Sequence, residues 1–208
     1  MNLFDWLSTQ HNKKMIVAES KGNERLSLEQ PSRSDQDLIA AINRGDVEAF
    51  EDLYRRYRDW VVRLALRFTH DEDLALDVLQ EVFVYFMKKF PGFELRCELK
   101  TFLYPAVRNV AIGMRRKSDR YVLDDETIAN RPSAAPSQQG EAGDVLLAVV
   151  SSLPEQQREV LMLRFVDGLA LNEIATALEI PLGTVKSRLH NALETLEKDP
   201  NIKKFFEE

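Results

Sequence analysis

Residues 171–191 read LNEIATALEIPLGTVKSRLHN and carry the clearest structural pattern in the chain. Apolar residues recur there at three- and four-residue spacing, which predicts a short helix over residues 171–178 and a second helix over about residues 184–196. The Pro and Gly of residues 180–183 predict a tight turn between the two helices. Ala175 is a small residue at the place where the two helices must cross closely.

The second helix of this pair leaves a polar face on its outside. Once Val185 and Leu189 face the core, the outward side chains are Lys186, Ser187, Arg188, His190 and Asn191. Cations bind guanine or phosphate, an amide binds adenine and a hydroxyl binds either, so these side chains suit a recognition helix in the major groove of DNA. A helical hairpin with a solvated face is the alternative. The short turn and the clustered DNA-binding side chains favour a helix-turn-helix.

Helical spacing also covers residues 35–117. Four helices are predicted there, the first from a Ser34 or Asp35 cap to Gly45 and the others over about residues 49–68, 71–89 and 99–117. Residues 93–98 are predicted to form a loop, and Pro105 should either kink the fourth helix or mark its true start. Further along the chain, Ser152 and Glu155 predict a capping box at the start of another helix.

These patterns divide the chain into five segments. Residues 1–34 are polar and weakly periodic, and are interpreted as a mobile extension. Two helical domains, residues 35–117 and 144–198, are separated by residues 118–143, whose Pro, Gly, Ser and acidic residues predict a flexible acidic linker. Residues 199–208 form a tail. Because period-two alternation is almost missing, the predicted fold class is all-α, with two small helical bundles joined by the linker.

The composition limits the function classes. The 208 residues are 44% hydrophobic and 30% charged, which supplies enough apolar material for packed cores. The lone cysteine, Cys97, cannot form an internal disulfide, as expected in a reducing cytoplasm, and the three histidines lack zinc-ligand spacing. No apolar run approaches the roughly 18 residues of a membrane span, and no secretory leader is found. The sequence therefore predicts a cytoplasmic protein without membrane insertion, cofactor or metal.

The net charge of −6 hides a segregation of signs. Basic residues cluster at 55–58, 88–89 and 115–117, whereas acidic residues gather at 71–73 and 124–126. A DNA-binding protein needs positive charge only on the face that docks, so the overall acidity does not exclude nucleic acid as a partner. Solvated helix surface is the alternative for any single cluster.

Three stretches resemble the region-four domain of bacterial sigma factors, closest to the small extracytoplasmic-function (ECF) group: LPEQQREV at 153–160, LALNEIA at 169–175 and GTVKSRL at 183–189. In that family this domain reads the −35 promoter element. The resemblance implies that Lys186, Ser187, His190 and Asn191 face bases, and that Thr184 and Arg188 lie near phosphate. The same helix-turn-helix core also occurs in regulators that follow a phospho-receiver domain, so the C-terminal half alone leaves the class open.

Residues 73–83, DLALDVLQEVF, resemble the region-two helix with which sigma factors bind the clamp helices of core RNA polymerase. Asp77, Gln80 and Glu81 are three and four residues apart, so they share one polar stripe. An acidic, polar stripe is a reasonable counterpart for a basic partner helix. A solvated helix face is the alternative.

Residues 90–104, FPGFELRCELKTFLY, and the RNVA of residues 108–111 resemble the family segment that melts and reads the −10 promoter element. Opening a duplex requires a pocket for an extruded base and a cationic track for the single strand. The resemblance implies that the loop of residues 93–98 supplies the pocket, and the residues that can supply the track are Lys100, Arg108, Asn109, Arg115, Arg116 and Lys117. The aromatic rings of Phe93, Phe102 and Tyr104 are expected in the core rather than as stacking platforms.

The combined resemblance implies a transcription initiation sigma factor. Such a protein binds the clamp helices and flap of core RNA polymerase, directs the enzyme to specific promoters and melts DNA at the −10 element. Promoter DNA is then the second partner, and an anti-sigma factor holds many members of the family. The alternative function is a helix-turn-helix regulator that acts alone, without polymerase. No Walker loop, nucleophile elbow or metal spacing is found, so the chain is not expected to be an enzyme.

Overall fold

The computed structural model describes residues 33–124 and 149–200. They fall into two compact units, an N-terminal unit within residues 29–135 and a C-terminal unit that includes residues 149–200. Within the described residues every regular element is a helix, so the predicted all-α fold class is confirmed. The predictions for the tail and for most of the extension and linker lie outside the described residues.

The helices follow the predicted order. Among the described residues, the N-terminal unit contains α1 (Asp35–Asn43), α2 (Val47–Thr69), α3 (Glu72–Met87) and α4 (Leu99–Asp124). The C-terminal unit contains α5 (Glu155–Phe165), α6 (Leu171–Leu178) and α7 (Leu182–Lys198), and residues 149–152 are helical as well. Between α3 and α4, residues 93–98 form the expected loop.

Ser34 is the residue that caps α1. Its hydroxyl oxygen accepts a hydrogen bond from the Asp37 backbone N–H at 3.2 Å, and the Asp37 carboxylate accepts one from the Ser34 N–H at 3.2 Å, which completes a capping box. The bonds from Ser34 hold the pKa of Asp37 below its ordinary value of 3.8. Asp35, the other candidate cap, instead accepts a hydrogen bond from the Tyr57 hydroxyl and so ties α1 to α2. Gly45 lies just after the end of α1 and has a positive φ of 90°.

The core of the N-terminal unit lies between α2, α3 and α4, each of which packs on the other two. Leu53, Leu64, Val78, Phe86 and Leu103 are almost completely buried there. These residues come from the apolar stripes that the helical spacing predicts, and burial of their side chains supplies the main stabilisation of the unit.

Helix α4 excludes one of the two alternatives for Pro105 and corrects the predicted end of this unit. Pro105 lies inside a continuous helix that begins at Leu99, so it does not mark the true start. Because Pro105 lacks an N–H, it cannot donate the helical hydrogen bond to the carbonyl of Thr101. The helix also continues to Asp124, seven residues beyond the expected end at Lys117 and into the stretch predicted as linker.

The start of α5 corrects another prediction, the capping box of Ser152 and Glu155. Residues 149–152 are helical, and the Ser152 hydroxyl donates to the carbonyl of Val149 at 2.7 Å, so it is engaged in the preceding turn. Pro154 is the N-cap residue of α5 and makes no side-chain bond to it. A serine three residues before a glutamate therefore marks the end of one helix here, not the start of the next.

The helix pair of the C-terminal unit has a shorter turn than expected. Helix α7 begins at Leu182, so only residues 179–181 separate it from α6, and Glu179 adopts a left-handed backbone with φ of 54°. The buried small residue of α6 is Ala177, whereas Ala175, predicted at the helix crossing, is half-buried. The predicted helix-turn-helix is otherwise present.

Candidate nucleic-acid and polymerase interface

Helix α7 separates a buried face from a polar face. Val185, Ala192 and Leu196 are buried, and Leu189 and Leu193 pack against the same core. The side chains that the sequence assigned to bases are all exposed, namely Lys186, Ser187, His190 and Asn191. Those assigned to phosphate, Thr184 and Arg188, are half-buried at the border of the exposed face. These side chains are therefore available to a partner, and their division between bases and phosphate stays a prediction.

The turn before α7 fixes the direction of this polar face. The N–H of Ile180 donates to the carbonyl of Ala175 at 3.1 Å and so closes the end of α6. The carbonyl of Pro181 then accepts the N–H groups of Thr184 at 2.9 Å and Val185 at 3.1 Å, which starts α7. Because both ends of the turn are bonded to their helices, the first turn of α7 is held relative to α6.

The charges along α7 favour its N-terminal half as a DNA-binding surface. Lys186 and Arg188 lie in that half, whereas Glu194 and Glu197 lie in the last two turns. Lys198 donates to Glu194 at 2.6 Å, and this bond holds the pKa of the Glu194 carboxyl below its ordinary value. The positive end of the helix dipole adds to the attraction of phosphate at the N-terminal half.

Helix α3 presents an outward face that is more apolar than the sequence analysis expected. Asp77, Gln80 and Glu81 are exposed, as predicted. Leu76, Val84 and Met87 are also exposed, with 49%, 48% and 54% of their surface accessible. Leu76, Gln80, Val84 and Met87 follow one another at four-, four- and three-residue spacing and form one line along the helix, called the α3 ridge below.

The α3 ridge was not predicted because the outward face of α3 was assigned to polar residues alone, Asp77, Gln80 and Glu81. A signal was present, since apolar residues occur on two sides of α3 rather than one. An apolar ridge bordered by the carboxylates of Asp77 and Glu81 has the mixed chemistry of a surface that a protein partner covers.

The six residues proposed for the single-strand track do not lie on one face of α4. Asn109 and Arg116, seven residues apart, share the outward face, and Arg108 and Arg115 share a neighbouring one. Lys117, nine residues after Arg108, points to the opposite side of the helix from it. The structure therefore divides the predicted track into separate stripes.

Two of the track residues also contact other helices. The ammonium of Lys100 lies 6.0 Å from the ring centroid of Trp60 on α2. Arg115 donates to the carbonyl of Phe68 at 3.2 Å and lies 3.9 Å from the carboxylate of Asp119. Lys100 and Arg115 thus help to join α2 to α4 whatever else they bind.

One cation of this surface was missed in the sequence. Arg120 is exposed, four residues after Arg116, and extends the outward stripe that begins at Asn109. It was missed because the sequence analysis ended α4 at Lys117. With the helix continued to Asp124, the stripe gains one more turn.

The loop before α4 rests on a group of aromatic rings. The rings of Phe86, Phe90, Phe93 and Phe102 lie against one another, with centroid separations between 4.8 and 5.9 Å. Phe93 and Phe102 are half-buried in this group, and Tyr104 is buried. These contacts support the expectation that the three aromatic residues named from the sequence belong to the core.

The same loop is bound to α1 through Asn43. Its amide oxygen accepts the N–H of Gly92 at 2.7 Å and that of Phe93 at 3.1 Å, and its amide nitrogen donates to the Phe93 carbonyl at 2.9 Å. Sequence reasoning gave no sign of this contact, because the partners lie 49 and 50 residues apart.

Neither a metal site nor a membrane-spanning helix is found in the described residues. Residues 33–124 and 149–200 hold no group of three or more His, Cys, Asp or Glu side chains that could bind a metal ion. No helix in the same ranges is long and apolar enough to cross a lipid bilayer. The absence of a cofactor remains a prediction.

Comparison with known families assigns the two units to one class of protein. Residues 53–121 match the family model of Sigma-70 region 2, and residues 144–196 match that of Sigma-70, region 4. The two matches fall on the N-terminal and C-terminal units in that order, as the sequence resemblance implies.

Characterised relatives narrow the class. The chain is 30% identical to the ECF RNA polymerase sigma factor SigW of Bacillus subtilis, over 77% of this chain and 93% of that protein. It is 31% identical to the ECF RNA polymerase sigma-E factor of Escherichia coli strain K12, over 79% of this chain and 93% of the other. The chain therefore belongs to the ECF group of the sigma-70 family, and its function is that of an RNA polymerase sigma factor.

Solved structures support the fold. The sigma factor RpoE of Bartonella quintana, solved in complex with the anti-sigma factor NepR, has a TM-score of 0.56 and 22% identity, and the match covers 77% of this chain and 98% of that one. CnrH, solved in complex with the cytosolic domain of CnrY, has a TM-score of 0.56 and 19% identity, and the match covers 83% of this chain and 97% of that one.

Proposed function

We propose that this sigma factor binds core RNA polymerase through the α3 ridge and its bordering residues Asp77 and Glu81. The observation that supports this proposal is the exposure of Leu76, Val84 and Met87 on a helix whose other side already packs in the core. Exposed apolar surface of this kind is stabilised when a partner covers it. A regulator that acts alone needs no such face, so the ridge favours the polymerase-binding function over that alternative.

The DNA-binding roles divide between the two units. In the C-terminal unit, the exposed side chains of α7 read the bases of the −35 element, and Thr184 and Arg188 hold phosphate. In the N-terminal unit, the loop of residues 93–98 accepts an extruded base of the −10 element, and the outward stripe of α4 binds the single strand. Each of these DNA-binding surfaces is small. Because a linker joins the two units, binding of one unit to DNA raises the effective concentration of the other unit near its own element.

The remaining predictions follow from this role. The protein acts in the cytoplasm, where its polymerase partner is, and supplies no catalytic chemistry of its own. An anti-sigma factor that covers the α3 ridge would compete with polymerase for the same surface. Co-purification from cells in which the polymerase is saturated with another sigma factor tests for such a partner.

The test of the polymerase contact uses binding of the full chain to core RNA polymerase. Val84→Ser and the double change Gln80→Ala with Glu81→Ala should each weaken binding at least about tenfold, the effect expected for residues inside a buried interface. Glu48→Ala, an exposed change on α2, is the control and should leave the affinity unchanged. If Val84→Ser and the double variant both bind polymerase like the unmodified chain, the ridge is not the contact surface.

A further inference from the structure

The loop that precedes α4 is fixed at both ends and exposed in between. At its start, Phe93 is held by its ring and by its backbone bonds to Asn43. At its end, Leu99 is completely buried, and the Glu98 carbonyl accepts the N–H of Phe102 at 3.1 Å. Residues 94–97 between these points are exposed or half-buried. The path of the chain into this segment is therefore set at Phe93, and its exit is set at Leu99.

Asn43 suits this fixing role because its amide makes three hydrogen bonds to the backbone of the loop. The oxygen faces two N–H donors and the nitrogen faces one carbonyl, so the three bonds define one orientation of the amide. The bonds reach backbone atoms, so they fix the path of the chain rather than the position of one side chain. Gly92, with φ of 98°, allows the chain to turn there so that both N–H groups point at one oxygen.

The ring contacts alone do not fix the loop to the same degree. The ring contacts with Phe86 and Phe102 act on the side chain of Phe93, whereas the bonds to Asn43 act on the backbone and are directional. An ion pair of 2.9 Å between Glu94 and Arg96 stays within the exposed part of the loop and anchors it to nothing else.

We propose that Asn43 is a positioning residue for base recognition, which acts by holding the entry of the 93–98 loop to α1. The inference rests on the proposed function, in which this loop accepts an extruded base. Loss of the three bonds frees residues 92–94 to move. The loop then presents several conformations to the single strand, and its preference among bases falls even though it still contacts DNA.

The experiment measures how the holoenzyme, formed from core polymerase and the full chain, discriminates among single-stranded promoter oligonucleotides. Four oligonucleotides carry each base in turn at the position that the unmodified holoenzyme reads most strongly. Discrimination is the affinity for the preferred base divided by the affinity for each other base. Asn43→Ala should reduce this ratio by about fivefold, as expected for lost directional bonds. Polymerase binding should change less than about twofold in the same variant.

Two further variants separate positioning from general stability. Asn43→Asp keeps the acceptor oxygen for Gly92 and Phe93 but faces the Phe93 carbonyl with a second oxygen, so its discrimination should fall between the unmodified chain and Asn43→Ala. Gln36→Ala, an exposed change on the same helix, should discriminate normally. All measurements are made at a temperature where circular dichroism shows each variant to be folded.

The outcomes distinguish this inference from the function on which it rests. If the unmodified holoenzyme shows no base preference and opens no promoter, the proposed function is wrong. If it shows a preference that Asn43→Ala retains in full, the positioning role is overturned while the proposed function stands. A loss of base preference with normal polymerase binding, graded through Asn43→Asp, supports the inference.

Discussion

Arg115 of α4 donates a hydrogen bond of 3.2 Å to the backbone carbonyl of Phe68, in the last turn of α2. The last carbonyls of a helix have no partner within it, so Arg115 satisfies one of them and ties the two helices together. Arg116 follows directly but lies on the outward face and is exposed. Two neighbouring arginines, both assigned to the DNA track from sequence, thus occupy different surroundings.

Substitution of these two arginines should have different effects. Arg115→Ala is expected to lower the free energy of unfolding by about 0.5–1 kcal/mol, because a charged hydrogen bond to the α2 carbonyl is lost. Arg116→Ala should leave stability within about 0.5 kcal/mol and weaken binding of the holoenzyme to single-stranded promoter DNA. Urea unfolding and fluorescence polarisation measure the two effects. Equal stability of both variants would count against the tie between α2 and α4.

The division of α7 into base-facing and phosphate-facing side chains gives a second contrast. Asn191→Ala should weaken binding to the preferred −35 sequence by about 1–3 kcal/mol and relax the preference at one position. Arg188→Ala should weaken binding to all sequences alike and reduce the slope of log affinity against log salt by about one. Holoenzyme binding to −35 duplexes at several salt concentrations checks both.

Lys198→Ala is the matched control for these variants. Lys198 lies at the far end of α7 and is paired with Glu194, so its loss should change neither the sequence preference nor the salt slope. An Asn191→Ala protein with unchanged sequence preference would show that this face does not read bases.

The turn before α7 holds a residue under backbone strain. Glu179 has φ of 54°, a region that side chains with a Cβ occupy at a cost, and it is exposed. Glu179→Gly should therefore raise the free energy of unfolding of the C-terminal unit by about 0.5–1 kcal/mol. Gly45→Ala is the opposite case, since its φ is 90° and no atom lies within 4 Å of the added Cβ. Gly45→Ala should lower the free energy of unfolding of the N-terminal unit through backbone strain alone. Urea unfolding of both variants checks that Glu179→Gly stabilises and Gly45→Ala destabilises.

The helix caps of the N-terminal unit predict a dependence of stability on pH. Hydrogen bonds from Ser34 lower the pKa of Asp37, and the bond from the Ala49 N–H lowers that of Asp46. A carboxyl with a lowered folded-state pKa stabilises the fold above its unfolded pKa, near 3.8, and this contribution is lost as pH falls through the folded-state value. The melting temperature should fall below about pH 4, and Asp46→Asn should make that fall shallower.

Much of the fold was readable from sequence because the helices follow regular apolar spacing. The buried Val185, Ala192 and Leu196 of α7 fall on one side by the helical period alone, which leaves the polar residues outside. The same reasoning placed Asp77, Gln80 and Glu81 on an exposed face. These predictions need only local pattern, and a helix packed on one side preserves that pattern.

The missed features depend on contacts that local pattern does not carry. The helix α4 continues to Asp124, seven residues beyond the predicted end at Lys117. The Ser152 to Glu155 spacing has two possible meanings, and only the helical turn before it shows which applies. The contact of Asn43 with the 93–98 loop links positions that are 49 and 50 residues apart. Distances of that kind come from the packed structure and not from periodicity.

Run-off transcription with purified core RNA polymerase, the full chain and a library of genomic promoter fragments from the source organism tests most directly whether the chain is a promoter-specific sigma factor. The chain should join the polymerase and start transcripts at a small set of promoters that share −35 and −10 elements. Val84→Ser and Asn191→Ala should lower the yield, whereas Glu48→Ala should not. If core polymerase starts the same transcripts with the chain as without it, the sigma-factor function is contradicted.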